Sequence, residues 1–71
     1  MRGVLIVKGK EGDMRTEFSN KHFARAEAEF NRLIGLGYLG SRMDTPTEGE
    51  AIKKFDSEAR EIIMSPAIVA G

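Results

Sequence analysis

The side chains that could carry out chemistry are few in this sequence and stand apart from one another. There are no cysteines, which rules out disulfides and thiolate metal sites, and His22 is the only histidine. Glu11 and Asp13 share a glycine loop, but a Ca²⁺ loop needs more oxygen ligands at set positions. No serine has a nucleophile-elbow context, and residues 9–12 lack the spacing of a phosphate-binding loop. We therefore expect no catalytic residue, no cofactor and no metal site.

Binding is the activity that such a sequence leaves open, and two surfaces are candidates for it. The first is an uncharged, mildly apolar C-terminal tail, consisting of Ala67, Ile68, Val69, Ala70 and Gly71. The second is an exposed sheet face, on which we expect Arg42, Lys53 and Lys54 beside Ile52. We expect a protein partner for both. A disordered or docked chain end is the alternative for the tail, and a solvated surface of mixed charge is the alternative for the face.

Composition limits the classes of partner. The 71 residues are enough for one small domain, and its 11 basic and 11 acidic residues give a formal net charge of zero. No basic block is present to follow a phosphate backbone, so we expect no nucleic acid partner. No apolar run approaches the roughly 20 residues that cross a bilayer, so we expect no membrane partner. The run 4–7 is shorter than a signal-peptide core, which together with the lack of cysteine favours a cytoplasmic setting.

The middle of the chain must form the helix that positions these surfaces. Apolar or small residues recur there at spacings of three and four, and they are Phe23, Ala26, Phe30, Leu33 and Gly37. Ser19 is a suitable N-cap, so we predict that the helix begins at residue 20, with Phe18 and Phe23 as a hydrophobic staple. Gly37 suits a left-handed C′ position, with Tyr38 packed back over the last turn. Gly35 is a second possible end.

Strand-like segments lie on both sides of this helix. We predict strands over 3–8, 14–18, 38–43, 50–55 and 60–64. The first segment is apolar on both alternating sets, which is typical of a central strand. The order ββαβββ predicts one α+β domain over residues 1–65, with the helix across one sheet face and an extended tail over 66–71. A right-handed crossover would place the last strand beside the first and parallel to it, which is the β-grasp layout. A plain antiparallel meander is the alternative.

The final segment resembles the C terminus of small ubiquitin-like sulfur carriers of the molybdopterin type. The shared pattern is a glutamate, an apolar strand, a proline and a terminal glycine, here Glu61, Ile62, Ile63, Met64, Pro66 and Gly71. Ser65 and Ala70 stand where the carriers have a first proline and a first glycine. The resemblance implies a β-grasp fold and a partner that grips the tail, with Gly71 supplying the recognised or activated carboxylate.

The chain is also similar to small uncharacterised bacterial and phage-associated proteins. The similarity lies in Gly37-Tyr38-Leu39, Gly49-Glu50, Phe55-Asp56 and Ile62-Ile63. Two functions follow as expectations. One is a non-enzymatic, ubiquitin-like interaction module that recognises a protein through its sheet face and tail. The alternative is a small viral or phage structural or assembly protein that joins neighbours, including copies of itself, by β-augmentation.

Overall fold

The computed structural model describes residues 2–66. In this part of the chain, five strands form one mixed sheet and a single helix packs across one of its faces. The elements are β1 Arg2–Val7, β2 Met14–Ser19, α1 Ala24–Gly35, β3 Leu39–Met43, β4 Gly49–Ile52 and β5 Glu61–Ser65. The expected order of elements and the α+β class are confirmed.

The strand order of the sheet is β2-β1-β5-β3-β4. β1 and β5 run parallel, whereas the other neighbouring pairs are antiparallel. The parallel pair is continued by hydrogen bonds from Val4 N–H to the Arg60 carbonyl at 3.0 Å and from Lys8 N–H to the Met64 carbonyl at 2.9 Å. The first strand is therefore internal, as its two apolar faces predict, and the β-grasp-like layout is confirmed over the meander.

The core lies between the helix and one face of the sheet. Its buried apolar residues are Leu5, Phe18, Ala26, Phe30, Leu33, Ala59, Ile62 and Met64. The ring of Phe55 joins them: its centroid lies 5.0 Å from that of Phe18 and 5.8 Å from those of Phe23 and Phe30. Because β4 ends at Ile52, the strand predicted over 50–55 is too long. The chain leaves the sheet there and brings Phe55 back under the helix.

The helix begins later than the Ser19 cap predicts. Ser19 instead continues β2, where it pairs with Arg2. Its Oγ accepts a hydrogen bond from His22 N–H at 3.1 Å, and the two residues also exchange backbone hydrogen bonds. Ser19 thus closes a turn that reverses the chain, and Phe23 occupies the N-cap position without a side-chain hydrogen bond. The predicted start at residue 20 and the staple that depended on it are wrong, because Ser19 pairs with Arg2 in the sheet and does not cap the helix.

The helix ends as the sequence predicts. Gly37 has a φ of +93°, which is in the left-handed region. Tyr38 N–H donates to the Leu33 carbonyl at 2.9 Å, and Gly37 N–H donates to the Ile34 carbonyl at 3.0 Å. This is the hydrogen-bond pattern of a Schellman ending, and it satisfies carbonyls that the last helical turn leaves unpaired.

Two glycines two residues apart give a test of this ending. Gly37→Ala should lower the free energy of unfolding by about 1 kcal/mol, because an L residue is strained at positive φ. Gly35→Ala is the matched control, since Gly35 lies in the last helical turn without positive φ and an added Cβ meets no atom within 4 Å at either position. The control should be neutral or more stable by up to about 0.5 kcal/mol. Urea unfolding followed by circular dichroism measures both, and equal effects would contradict the assignment.

Candidate functional site

Arg42 joins three acidic side chains at one end of β3. Its Nη1 lies 3.1 Å from Asp56 Oδ2, and its Nη2 lies 2.9 Å from Glu50 Oε2. Its Nε lies 3.4 Å from Asp44 Oδ1, an ion-pair contact without hydrogen-bond geometry. We call these four residues the Arg42 cluster. The hydrogen bond to Asp56, supported by the charge of Asp44, raises the pKa of Arg42 above its ordinary value, while burial opposes the rise.

The Arg42 cluster ties together segments that are distant in the chain. Asp44 follows β3, Glu50 lies in β4, and Asp56 opens the turn before β5. In that turn, Asp56 Oδ1 accepts from Glu58 N–H at 2.9 Å. Arg42 thus forms ion pairs with three carboxylates of its own chain, and these contacts link β3, β4 and the turn before β5.

The structure does not bring Arg42 and Lys53 together on one exposed face. Arg42 pairs with Ile62, which is fully buried in the core, so Arg42 lies on the helix side of the sheet. Ile52 also packs against the core. Lys53 and Lys54 are exposed beyond the end of β4. The expected face with all four residues is therefore not formed, because the strand register turns Arg42 and Ile52 inward.

Lys53 borders a groove beside the C-terminal end of the helix. The groove has a volume of about 460 Å³ and is mainly apolar, with Ile34, Tyr38, Leu39 and Ile52 among its lining residues. The other predicted binding residues, Ala67, Ile68, Val69, Ala70 and Gly71, lie outside the described residues. Their part in binding, like that of Arg42 and Lys53, stays a prediction.

The sheet face opposite the helix carries an apolar centre that the sequence analysis did not single out. In β1, Val4 and Ile6 alternate with the buried Leu5, and in β5, Ile63 alternates with the buried Ile62. Val4, Ile6 and Ile63 are half-buried, and Ile6 and Ile63 are direct neighbours across the parallel pair. We call this surface the open face.

The open face continues beyond its centre. Ser41 and Ala51 extend the row of Ile6 and Ile63 onto β3 and β4. Leu39, which is 62% exposed, and Met43 flank this row on β3. The charged residues around the apolar centre are Arg2, Arg15, Glu17 and Glu61, with the ion pair of Lys8 and Asp13 beyond Ile6. Equal numbers of positive and negative side chains leave this rim without net charge. The signal for this surface was the second apolar set of β1, which predicts a strand apolar on both faces.

Residues 2–66 contain neither a metal-binding cluster nor a membrane-spanning helix. No three histidine, aspartate or glutamate side chains there come together in a way that could hold a metal ion. No helix of that part of the chain is long and apolar enough to cross a bilayer. No family model, curated protein or solved structure matches this chain.

Replacing Arg42 should destabilise the fold, because its three acidic partners would then lack a cation. In Arg42→Met, three carboxylates lose their shared cation and repel one another, so the urea midpoint should fall. Lys53→Met is the control, because Lys53 is exposed and takes part in none of the ion pairs found in residues 2–66. Removal of an isolated exposed charge usually changes stability by no more than about 0.5 kcal/mol.

Salt provides the second measurement on the Arg42 cluster. Added sodium chloride screens repulsion between exposed carboxylates, so the deficit of Arg42→Met relative to the natural chain should shrink as salt rises. The same urea titrations at low and high salt measure this change. Equal midpoints for Arg42→Met and Lys53→Met would show that the cluster does not hold the segments together.

Proposed function

We propose that this chain is a non-enzymatic protein-interaction module of ubiquitin-like type, which recognises a protein partner through the open face and the C-terminal tail. The observation that supports this most strongly is the apolar centre of the open face. Val4, Ile6 and Ile63 lie in the internal strands β1 and β5, yet the only helix in residues 2–66 packs on the other side.

Covering this centre is favourable for a simple reason. Apolar surface removed from water contributes roughly 25 cal/mol per Å². The backbone of these three residues is held by strand pairing on both sides, so little backbone entropy is lost when a partner contacts them. Leu39 and Met43 widen the apolar area toward β3. A flat, preformed apolar surface of this kind suits an apolar patch on another protein.

The rim favours a protein over a polyanion. Arg2 and Arg15 are balanced by Glu17 and Glu61, so the face has no positive field to attract phosphates. A protein surface with both signs of charge can match this rim, and such matching fixes orientation more than it adds affinity.

The end of β5 agrees with a shared binding surface. β5 ends at Ser65, which pairs with Leu39 of the open face. The last described residues of the chain therefore lie at the same end of the sheet as Leu39.

Affinity capture from cells that make the protein tests the proposal when matched variants are compared. Ile63→Lys places a charge in the centre of the open face, and Leu39→Lys places one at an exposed position that the core does not use. Ala28→Lys is the control on the exposed side of the helix. Proteins retained by the natural chain and by Ala28→Lys should be lost, or bound at least tenfold more weakly, with both open-face variants. Circular dichroism confirms that each variant is folded.

Deletion of residues 67–71 measures the contribution of the tail to binding separately from that of the open face. If the tail contributes, the same proteins should bind the shortened chain more weakly. Retention of every captured protein by Ile63→Lys and Leu39→Lys would contradict binding by the open face. Unchanged capture by the shortened chain would remove the tail from the proposal.

A further inference from the structure

The two edges of the sheet differ in their capacity to pair with another strand. β4 has only four residues and begins with Gly49. β2 has six residues, Met14–Ser19, without glycine or proline. Natural edges are commonly protected by short length, proline, bulges or charged side chains. β2 is neither short nor interrupted by proline or a bulge. Its two charged residues, Arg15 and Glu17, have opposite signs, so a strand with complementary charges can still pair with its regular backbone.

The register of the sheet shows which backbone groups of β2 face outward. Val4 donates toward β5, so its neighbour Leu5 turns its backbone groups toward β2. Leu5 lies opposite Thr16, and this pair therefore exchanges hydrogen bonds. Since backbone groups alternate in direction along a strand, those of Arg15 and Glu17 point away from β1 toward the free edge. Ser19 also points outward, but its N–H and carbonyl are bonded to His22.

The side chains of the same two residues carry opposite charges. Arg15 and Glu17 are exposed on the open face, where β1 places Ile6 and Val4 opposite them. Neither enters an ion pair with another of residues 2–66. Neither charged side chain therefore faces an opposite charge on the neighbouring strand β1.

A second copy of β2, laid antiparallel about a two-fold axis, would match them in one register only. With the axis at Thr16, Arg15 of each copy lies opposite Glu17 of the other, and each pair can exchange two backbone hydrogen bonds. With the axis at Arg15 or at Glu17, two like charges lie directly opposite, which is destabilising. Backbone direction permits all three registers, and charge selects the one centred on Thr16.

Space on the helix side allows this approach. In the selected register, Thr16 lies opposite its own copy, and Met14, which is 72% exposed, lies opposite Phe18 of the second copy. A groove of about 400 Å³ is lined by Met14 and Thr16 together with the helix residues Arg25, Glu29 and Arg32. Met14 is thus exposed on the side of the sheet where the second copy would place Phe18.

We infer that a second copy of this chain binds at the free edge of β2, in an antiparallel pairing centred on Thr16. The two sheets then form one sheet of ten strands. Arg15 and Glu17 hold the register through reciprocal ion pairs on the open face. The open face becomes continuous across the dimer, so this interaction is compatible with, and independent of, a partner on that face.

Charge reversal tests the pairing. Sedimentation equilibrium should show that the natural chain dimerises with rising concentration. Arg15→Glu and Glu17→Arg each place like charges opposite in all three registers, so the dimer dissociation constant should rise roughly tenfold or more in each variant. The double variant R15E/E17R restores opposite charges and should recover dimerisation to near the natural level.

Mixing the two single variants removes misfolding as an explanation. A chain with Glu at both positions is complementary to a chain with Arg at both, so the mixture should form a heterodimer that neither variant forms alone. Amide hydrogen exchange should slow at Arg15 and Glu17 in the dimer. A natural chain that is monomeric at millimolar concentration, or a dimer insensitive to these substitutions, would overturn the inference.

Discussion

The constraint on which this structure depends is that one helix must cover one five-stranded sheet. A helix of 12 residues is about 18 Å long and can shield only a single face. The shielded side contains the core, where Phe55 brings three phenylalanine rings together beneath α1. On the other side, Val4, Ile6 and Ile63 are half-buried, and among residues 2–66 only strand neighbours contribute to that burial. The surface available for binding thus follows directly from the way the core is built.

Those parts of the fold that local chemistry determines could be predicted from the sequence. Gly37 ends the helix because few other residues accept positive φ, and its effect requires only the preceding turn. The central position of β1 followed from apolar residues on both alternating sets. With β1 internal and the helix connecting β2 to β3, a right-handed crossover predicted the last strand as a parallel partner for β1, with an antiparallel meander as the alternative. These features are short-range or topological, and the structure has them as predicted.

The parts that failed depend on long-range contacts. Ser19 is a residue type that often caps helices, but here it pairs with Arg2 in the sheet. The residues near Ser19 in the sequence do not predict that pairing. Arg42 reads as an exposed cation, whereas three carboxylates from separate segments surround it. The open face was missed for a related reason. Its residues come from β1, β3, β4 and β5, and only the strand order makes them one surface.

Exposure of the open face, which no other part of residues 2–66 covers, can be measured directly by NMR with a soluble paramagnetic probe. Ile6 and Ile63 should lose methyl signal intensity on addition of the probe, because no layer of residues 2–66 packs over them. Leu5 and Ile62, which are adjacent in sequence and fully buried, are internal references. The account predicts strong attenuation for the first pair and little for the second. Equal protection of all four methyl-bearing residues would contradict it.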